Sequence, residues 1–318
     1  MIRIDALAAF AVALALATPS YAADKLHVGK AVETSFPMTI TDYGAANGMF
    51  AKYGLDLEIT AFTGDAKMQQ AFVAESIDVG LGSGPAMAFE LKGAPTIAIA
   101  AFAGEPRTIS LAVIPDSPIK TPADLKGKLV AISTTGSLTE WLVKRLSVSQ
   151  GWGPNGVRAA ALGAGAAMNG ALLTKEVDAM MTGTENAFIV VDKGQVRIVT
   201  GMESFAPDFI THVIFATTKL VHDKPDLARR FVQGFFASMA AVKADKAKAV
   251  AFFAPFLNEK PSVFSAIYDQ ELPMLIDDGH FDAKAVAVLK DSFIDMGILD
   301  QKPSDERLFT TQFVPVKF

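Results

Sequence analysis

Short apolar strands alternate with helix-period segments from residue 26 onward, and that alternation restricts the chain to a layered α/β fold. Residues 26–32 read as a strand, 33–37 as a turn, the segment from there to 50 as a helix and 54–59 as a second strand. A second helix follows Gly64-Asp65, and a third strand opens at Ile77-Asp78. Strands alternating with helices imply a parallel sheet. In open α/β sheets, ligands bind outside the carboxyl ends of the strands. Here those ends carry small hydroxyl and glycine residues, Thr34-Ser35 and Gly82-Ser83-Gly84, with no nucleophile beside a base. The pattern points to holding a ligand rather than reacting with one.

A weak internal repeat sharpens this reading. Met68-Gln69-Gln70-Ala71-Phe72-Val73 leads to Ile77-Asp78, and Met168-Asn169-Gly170-Ala171-Leu172-Leu173 leads to Val177-Asp178. Each copy is an amphipathic helix followed by a short strand that opens with Asp. Two lobes on one βαβ plan produce such a pattern, although amphipathic helices also resemble one another by chance. Two β-rich runs, near 107–114 and 209–217, are candidate crossovers between the lobes. The expected architecture is two Rossmann-like lobes joined by two crossover strands. Residues 23–106 and 213–318 form lobe I and 107–212 form lobe II. Such lobes can hinge and close on a ligand. Thr121-Pro122-Ala123-Asp124 predicts a helix start, with a hydroxyl cap, proline at the first position and a carboxylate in the first turn. From 224 to 299 the chain reads as mainly helical.

Residues 1–22 have the form of a secretory signal: basic Arg3, an apolar run from Ala6 to Ala17, and Ser20-Tyr21-Ala22 as a small-x-small cleavage site. The apolar run is too short to span a bilayer. A buried alanine-rich helix is the other reading. Cleavage after Ala22 leaves roughly 296 residues, enough for two lobes. The chain has no cysteine, which excludes disulfides, thiolate metal sites, a cysteine nucleophile and a lipid anchor at the cleavage site. A free periplasmic protein, monomeric, is the expectation. The net charge of −5, with no basic run, argues against nucleic acid.

Gly64…Gln70-Ala71…Ile77-Asp78-Val79-Gly80, the block Thr121-Pro122-Ala123-Asp124-Leu125-Lys126-Gly127-Lys128-Leu129-Val130-Ala131, and Gly136-Ser137 resemble the solute-binding proteins of nitrate, sulfonate and taurine uptake. That group belongs to a superfamily that also holds thiamine-pyrimidine binders. The resemblance covers nearly the whole mature chain. It implies a bilobed periplasmic-binding-protein type II fold and delivery of a small polar or anionic solute to an ABC permease, with no cofactor and no catalysis. A pyrimidine, another heterocycle or an aromatic acid is the alternative solute. A receptor-docking sensor is a further alternative, and a secreted hydrolase is the rival from another class. Pyrimidine-synthesising enzymes of the superfamily use a cysteine-rich iron motif, which this chain lacks.

Several residues could contact a solute. Gly136-Ser137 opens a helix, where unpaired amides and the dipole favour an anion, and Thr134 adds a hydroxyl. The run Ser137-Leu138-Thr139-Glu140 is equally a capping box. Gly82 and Ser83 form a similar turn, which also serves as a plain strand–helix connection. Ser35 and Phe36 end the first strand, where the family places ligand contacts. Phe36 could wall the pocket or anchor the next helix. Arg107 at the first crossover could pair with a sulfonate or carboxylate, or form a hinge ion pair. Thr184 and Glu185 follow the Asp178 strand, and Glu185 facing the cleft would favour an amine or ring N–H. His212 lies in the second crossover, as a hinge residue or a contact. The four histidines have no metal-ligand spacing. No G-x-S-x-G nucleophile elbow occurs. Gly80-Leu81-Gly82 and Gly163-Ala164-Gly165 fail as dinucleotide fingerprints, with Pro85 and Met168 where the third glycine belongs.

Overall fold

The computed structural model describes residues 23–317, so the expected signal segment 1–22 lies outside the described residues. The chain begins with β1 (Asp24–Lys30), α1 (Phe36–Ala46), β2 (Leu55–Ala61), α2 (Asp65–Val73), β3 (Val79–Ser83), α3 (Ala88–Leu91) and β4 (Thr96–Ala103). It crosses to a second sheet through 104–108. There it forms β5 (Ile109–Val113), β6 (Leu129–Ile132), α4 (Leu138–Ser149), β7 (Arg158–Ala161), α5 (Ala166–Leu173), β8 (Ala179–Gly183), α6 (Thr184–Asp192) and β9 (Arg197–Gly201). Residues 202–211 lead back into β10 (His212–Thr217). The helices α7 (Thr218–Asp223), α8 (Pro225–Ala244), α9 (Lys246–Phe256), α10 (Pro261–Glu271) and α11 (Ala283–Asp295) follow.

The two five-stranded sheets have orders β2-β1-β3-β10-β4 and β7-β6-β8-β5-β9. Position for position they match. In each, three parallel strands are followed by an antiparallel one, β10 or β5, that enters directly after a crossover. The sheets are therefore mixed, which corrects the expectation of parallel ones. A strand arriving from the other lobe runs against its new neighbours, because the crossover delivers it at the end where they finish. The helix start at Thr121 also falls short: a capping box forms there, but only a 3₁₀ turn follows, Pro122–Leu125.

The repeat has a physical basis in strand capping. Asp78 accepts the His27 amide at 2.9 Å, and Asp178 accepts the Leu129 amide at 2.8 Å. Each aspartate ties the start of its strand to the parallel neighbour, β1 or β6. The preceding turns match too, with Glu75 and Lys175 both in the left-handed region.

α1 and α8 pack closely on the first lobe, where Phe50 stacks on Phe231 at 5.4 Å. Phe36, Phe253 and Phe264 form an aromatic cluster under α9 and α10. Burial of such rings supplies the main driving force for each lobe.

Candidate functional site

Segments that follow β1 and β2 in the first lobe meet segments that follow β8 and β6 in the second. Gly64 of lobe I lies against the Thr134 side chain of lobe II; a Cβ there would stand 3.1 Å from the Thr134 methyl. Ser35, Ser83, Thr108, Ser137, Thr184, Glu185, His212 and Glu271 are all buried, so the lobes are shut over these groups.

The central contact joins the lobes directly. Glu185 Oε1, at the start of α6, accepts the Phe36 amide of α1 at 2.6 Å. The first amides of a helix have no intrahelical partner and favour an anion. Glu185 of lobe II thus supplies the anion that α1 of lobe I requires, with the Ser35 hydroxyl beside it. Burial pushes the Glu185 carboxyl up to about 7, against the hydrogen bonds from its own, Phe36 and Ser35 groups. Glu271, at the end of α10, faces Glu185. It is 0% exposed, its oxygens meet no N–H of the protein, and its one hydrogen-bond partner is the Glu185 carboxyl. Burial, then the Glu185 charge, drives its carboxyl well above the ordinary range. Two carboxyls in one dry site cannot both ionise cheaply, so the pair holds a proton.

The same two helices meet again at the rim. Lys260 Nζ, before α10, lies 2.7 Å from Asp192 Oδ2 at the end of α6. On the other side, Trp141 of α4 donates to Asp295 of α11 at 3.3 Å and stacks on Phe209 at 4.3 Å.

The remaining candidates are placed as follows. The Phe36 ring packs edge-on against Phe253 and Phe264 at 5.3 and 5.2 Å, so it anchors α1 in the core instead of walling a pocket. Ser83 donates through its amide and hydroxyl to Asp65, at 2.9 and 2.8 Å. Gly82 is glycine because a Cβ would crowd Asp65 Oδ1 at 2.7 Å. The Gly136 amide donates to Glu140 Oε2 at 2.6 Å, and Ser137 Oγ accepts the Glu140 amide at 3.4 Å. The predicted anion cradle is therefore engaged by Glu140. Arg107 Nε donates to Glu105 at 2.6 Å, the hinge ion pair, so it is not free for a sulfonate. The Thr184 hydroxyl donates to the Arg107 carbonyl at 3.0 Å and pairs with Ser110. His212 stacks on Phe102 at 5.4 Å, and burial lowers its ring to about 3, so it is neutral. Neither ring nitrogen has a partner of good geometry.

Sequence reasoning missed Glu271, Asp65 and Thr108. The Thr108 hydroxyl is buried and unpartnered, while its carbonyl accepts the first amide of α6 at 2.8 Å. Among the described residues, no group of three or more His, Asp or Glu is placed to hold a metal. No described helix is long and apolar enough to cross a membrane.

Solved structures share this architecture. The alkanesulfonate-binding protein SsuA of Xanthomonas axonopodis pv. citri, bound to MOPS, superposes with a TM-score of 0.77 at 16% identity, over 87% of this chain and 95% of that one. The periplasmic aliphatic sulphonate binding protein SsuA of Escherichia coli gives 0.75 at 19% identity, over 92% and 93%. The periplasmic nitrate-binding protein NrtA of Synechocystis PCC 6803 gives 0.70 at 14% identity, over 90% and 84%. These likenesses establish the bilobed periplasmic-binding-protein fold. No curated protein matches the chain. The family model described as NMT1/THI5 like matches residues 38–249, from α1 through the second crossover into α9, and with more than half its length so matched the chain belongs to that family.

Proposed function

We propose that this chain is the periplasmic solute-binding component of an ABC importer. It captures a small polar organic or anionic solute between its lobes and presents the closed form to an inner-membrane permease. The observation that carries the reading is the Glu185–Phe36 hydrogen bond, 2.6 Å long between residues 149 apart, which draws lobe II onto lobe I over buried polar groups. The two crossovers permit opening by hinging. The names of the solved relatives, which bind sulfonates or nitrate, support solute capture as the general role. Under this reading the protein is a monomer, has no catalytic step and reaches the periplasm through residues 1–22.

A thermal-shift screen over sulfonates, taurine, nitrate, pyrimidines, aromatic acids and small organic amines and amidines tests the reading. A solute that binds only the folded form at a hundred times its Kd adds about 2.7 kcal/mol of stability. At least one compound should raise the melting temperature with a saturating dose response. No shift from any class, with the protein freed of bound solute by unfolding and refolding, would refute it.

A further inference from the structure

We infer that the cleft takes a small organic cation with two or more N–H donors, an amidinium, guanidinium or primary ammonium group, between Glu185 of lobe II and Glu271 of lobe I. This rests on the solute-binding reading and narrows its solute class.

The α1 terminus already holds an anion from within the chain. In a cleft built for a plain anion, the solute would itself occupy the helix N-terminus. Here Glu185 fills that place from within the chain, and its carboxylate repels a second anion. Arg107, the candidate counter-ion for a sulfonate, is engaged by Glu105. The polar atoms still lacking partners in the closed site are mainly acceptors. Both Glu271 oxygens are buried and meet no N–H of the protein, their one partner being the protonated pair with Glu185, and the Thr108 hydroxyl beside the start of α6 is unpartnered. A buried carboxylate without donors is costly, and donors that fit it are recovered as charge-assisted hydrogen bonds. A group with N–H on one edge and positive charge completes Glu271 and binds the two lobes together.

No basic group among the described residues is paired with these carboxyls. On the elements packed around the pair, Lys30 is held by Asp42, Lys246 by Asp269 and Lys260 by Asp192. The Tyr268 hydroxyl donates to the Val242 carbonyl at 3.0 Å. In the solute-free form the carboxyls keep a proton instead, since burial raises both. The cation displaces that proton to solvent, so binding strengthens as pH rises toward 7 and above.

Acetamidine, methylguanidine and agmatine are the probes. Tetramethylammonium controls for charge without donors; nitrate and methanesulfonate control for anions. Calorimetry in phosphate and in bis-Tris, a tertiary amine with a single N–H, at pH 6.5 counts protons. The expected result is binding by at least one N–H cation and none by tetramethylammonium, with close to one proton released. Affinity should fall about tenfold or more in Glu271→Gln, and also in Glu185→Gln, which retains an acceptor for Phe36. Binding of the anions alone overturns the inference and leaves the solute-binding reading standing. Cation binding that is unchanged in both variants, or that releases no proton, also overturns it. If neither cations nor anions bind, the inference falls, and the solute-binding reading is decided by the thermal-shift screen.

Discussion

Glu185→Gln changes one atom in the contact that joins the lobes, and its effect should depend on pH in a calculable way. Glutamine keeps an oxygen for the Phe36 amide but cannot ionise. In the folded wild type the Glu185 carboxyl lies at about 7, against an ordinary value of 4.5. A raised value means the folded form binds more protons than the unfolded chain between those limits. The contribution to stability is complete below 4.5 and is lost as pH rises through 7. Moving a carboxyl across that interval corresponds to about 3 kcal/mol at 1.36 kcal/mol per pH unit. Wild type should therefore lose about 3 kcal/mol relative to Glu185→Gln between pH 4.5 and pH 8. Urea unfolding of both proteins at pH 4.5, 6 and 8, without solute, reads the difference for the Glu185–Glu271 pair, because the carboxyls outside it titrate alike in both. Parallel curves, agreeing within about 0.5 kcal/mol at all three values, would show that Glu185 is not the dry interlobe carboxyl described.

Three further substitutions probe single contacts. Gly84→Ala places a Cβ on the Ile210 carbonyl oxygen, a backbone atom that cannot step aside, and should cost about 1–3 kcal/mol or more in chemical denaturation. Ser137→Ala removes the α4 cap and should cost about 0.5–2 kcal/mol by the same assay. Arg107→Ala breaks a partly exposed ion pair with Glu105; it should change stability by less than about 1 kcal/mol and leave affinity for the captured solute as in wild type by calorimetry.

The parts of this fold that local pattern controls were readable in advance. The alternation of strands and helices, the Asp78 and Asp178 repeat and the helical tail depend on side chains within one or two turns of each other. The antiparallel strands β5 and β10 were not readable, because their direction is set by where a crossover lands rather than by their own residues. The same limit hid Glu271. An acid at the end of an amphipathic helix looks like a surface residue until α10 is laid beside α6, and only then is its carboxyl buried against Glu185. Asp65 was in plain view after Gly64, but its role depends on Ser83, 18 residues on. Arg107 is the opposite case: its partner stands two residues away at Glu105, and the local pair was visible. Phe36 was weighed as pocket wall or anchor, and its ring lies in the core because Phe253 and Phe264 arrive from distant helices.

The central claim is that the lobes open and then close on a solute. The chain has no cysteine, so Lys193→Cys and Ser262→Cys introduce unique labelling sites on exposed residues flanking the Asp192–Lys260 rim contact. Pulsed electron–electron resonance between spin labels there measures the rim distance with and without a solute whose binding calorimetry has established. The expected result is a single short distance with solute and a population at longer distance without it. One unchanged distribution at saturating solute would contradict closure as the means of capture.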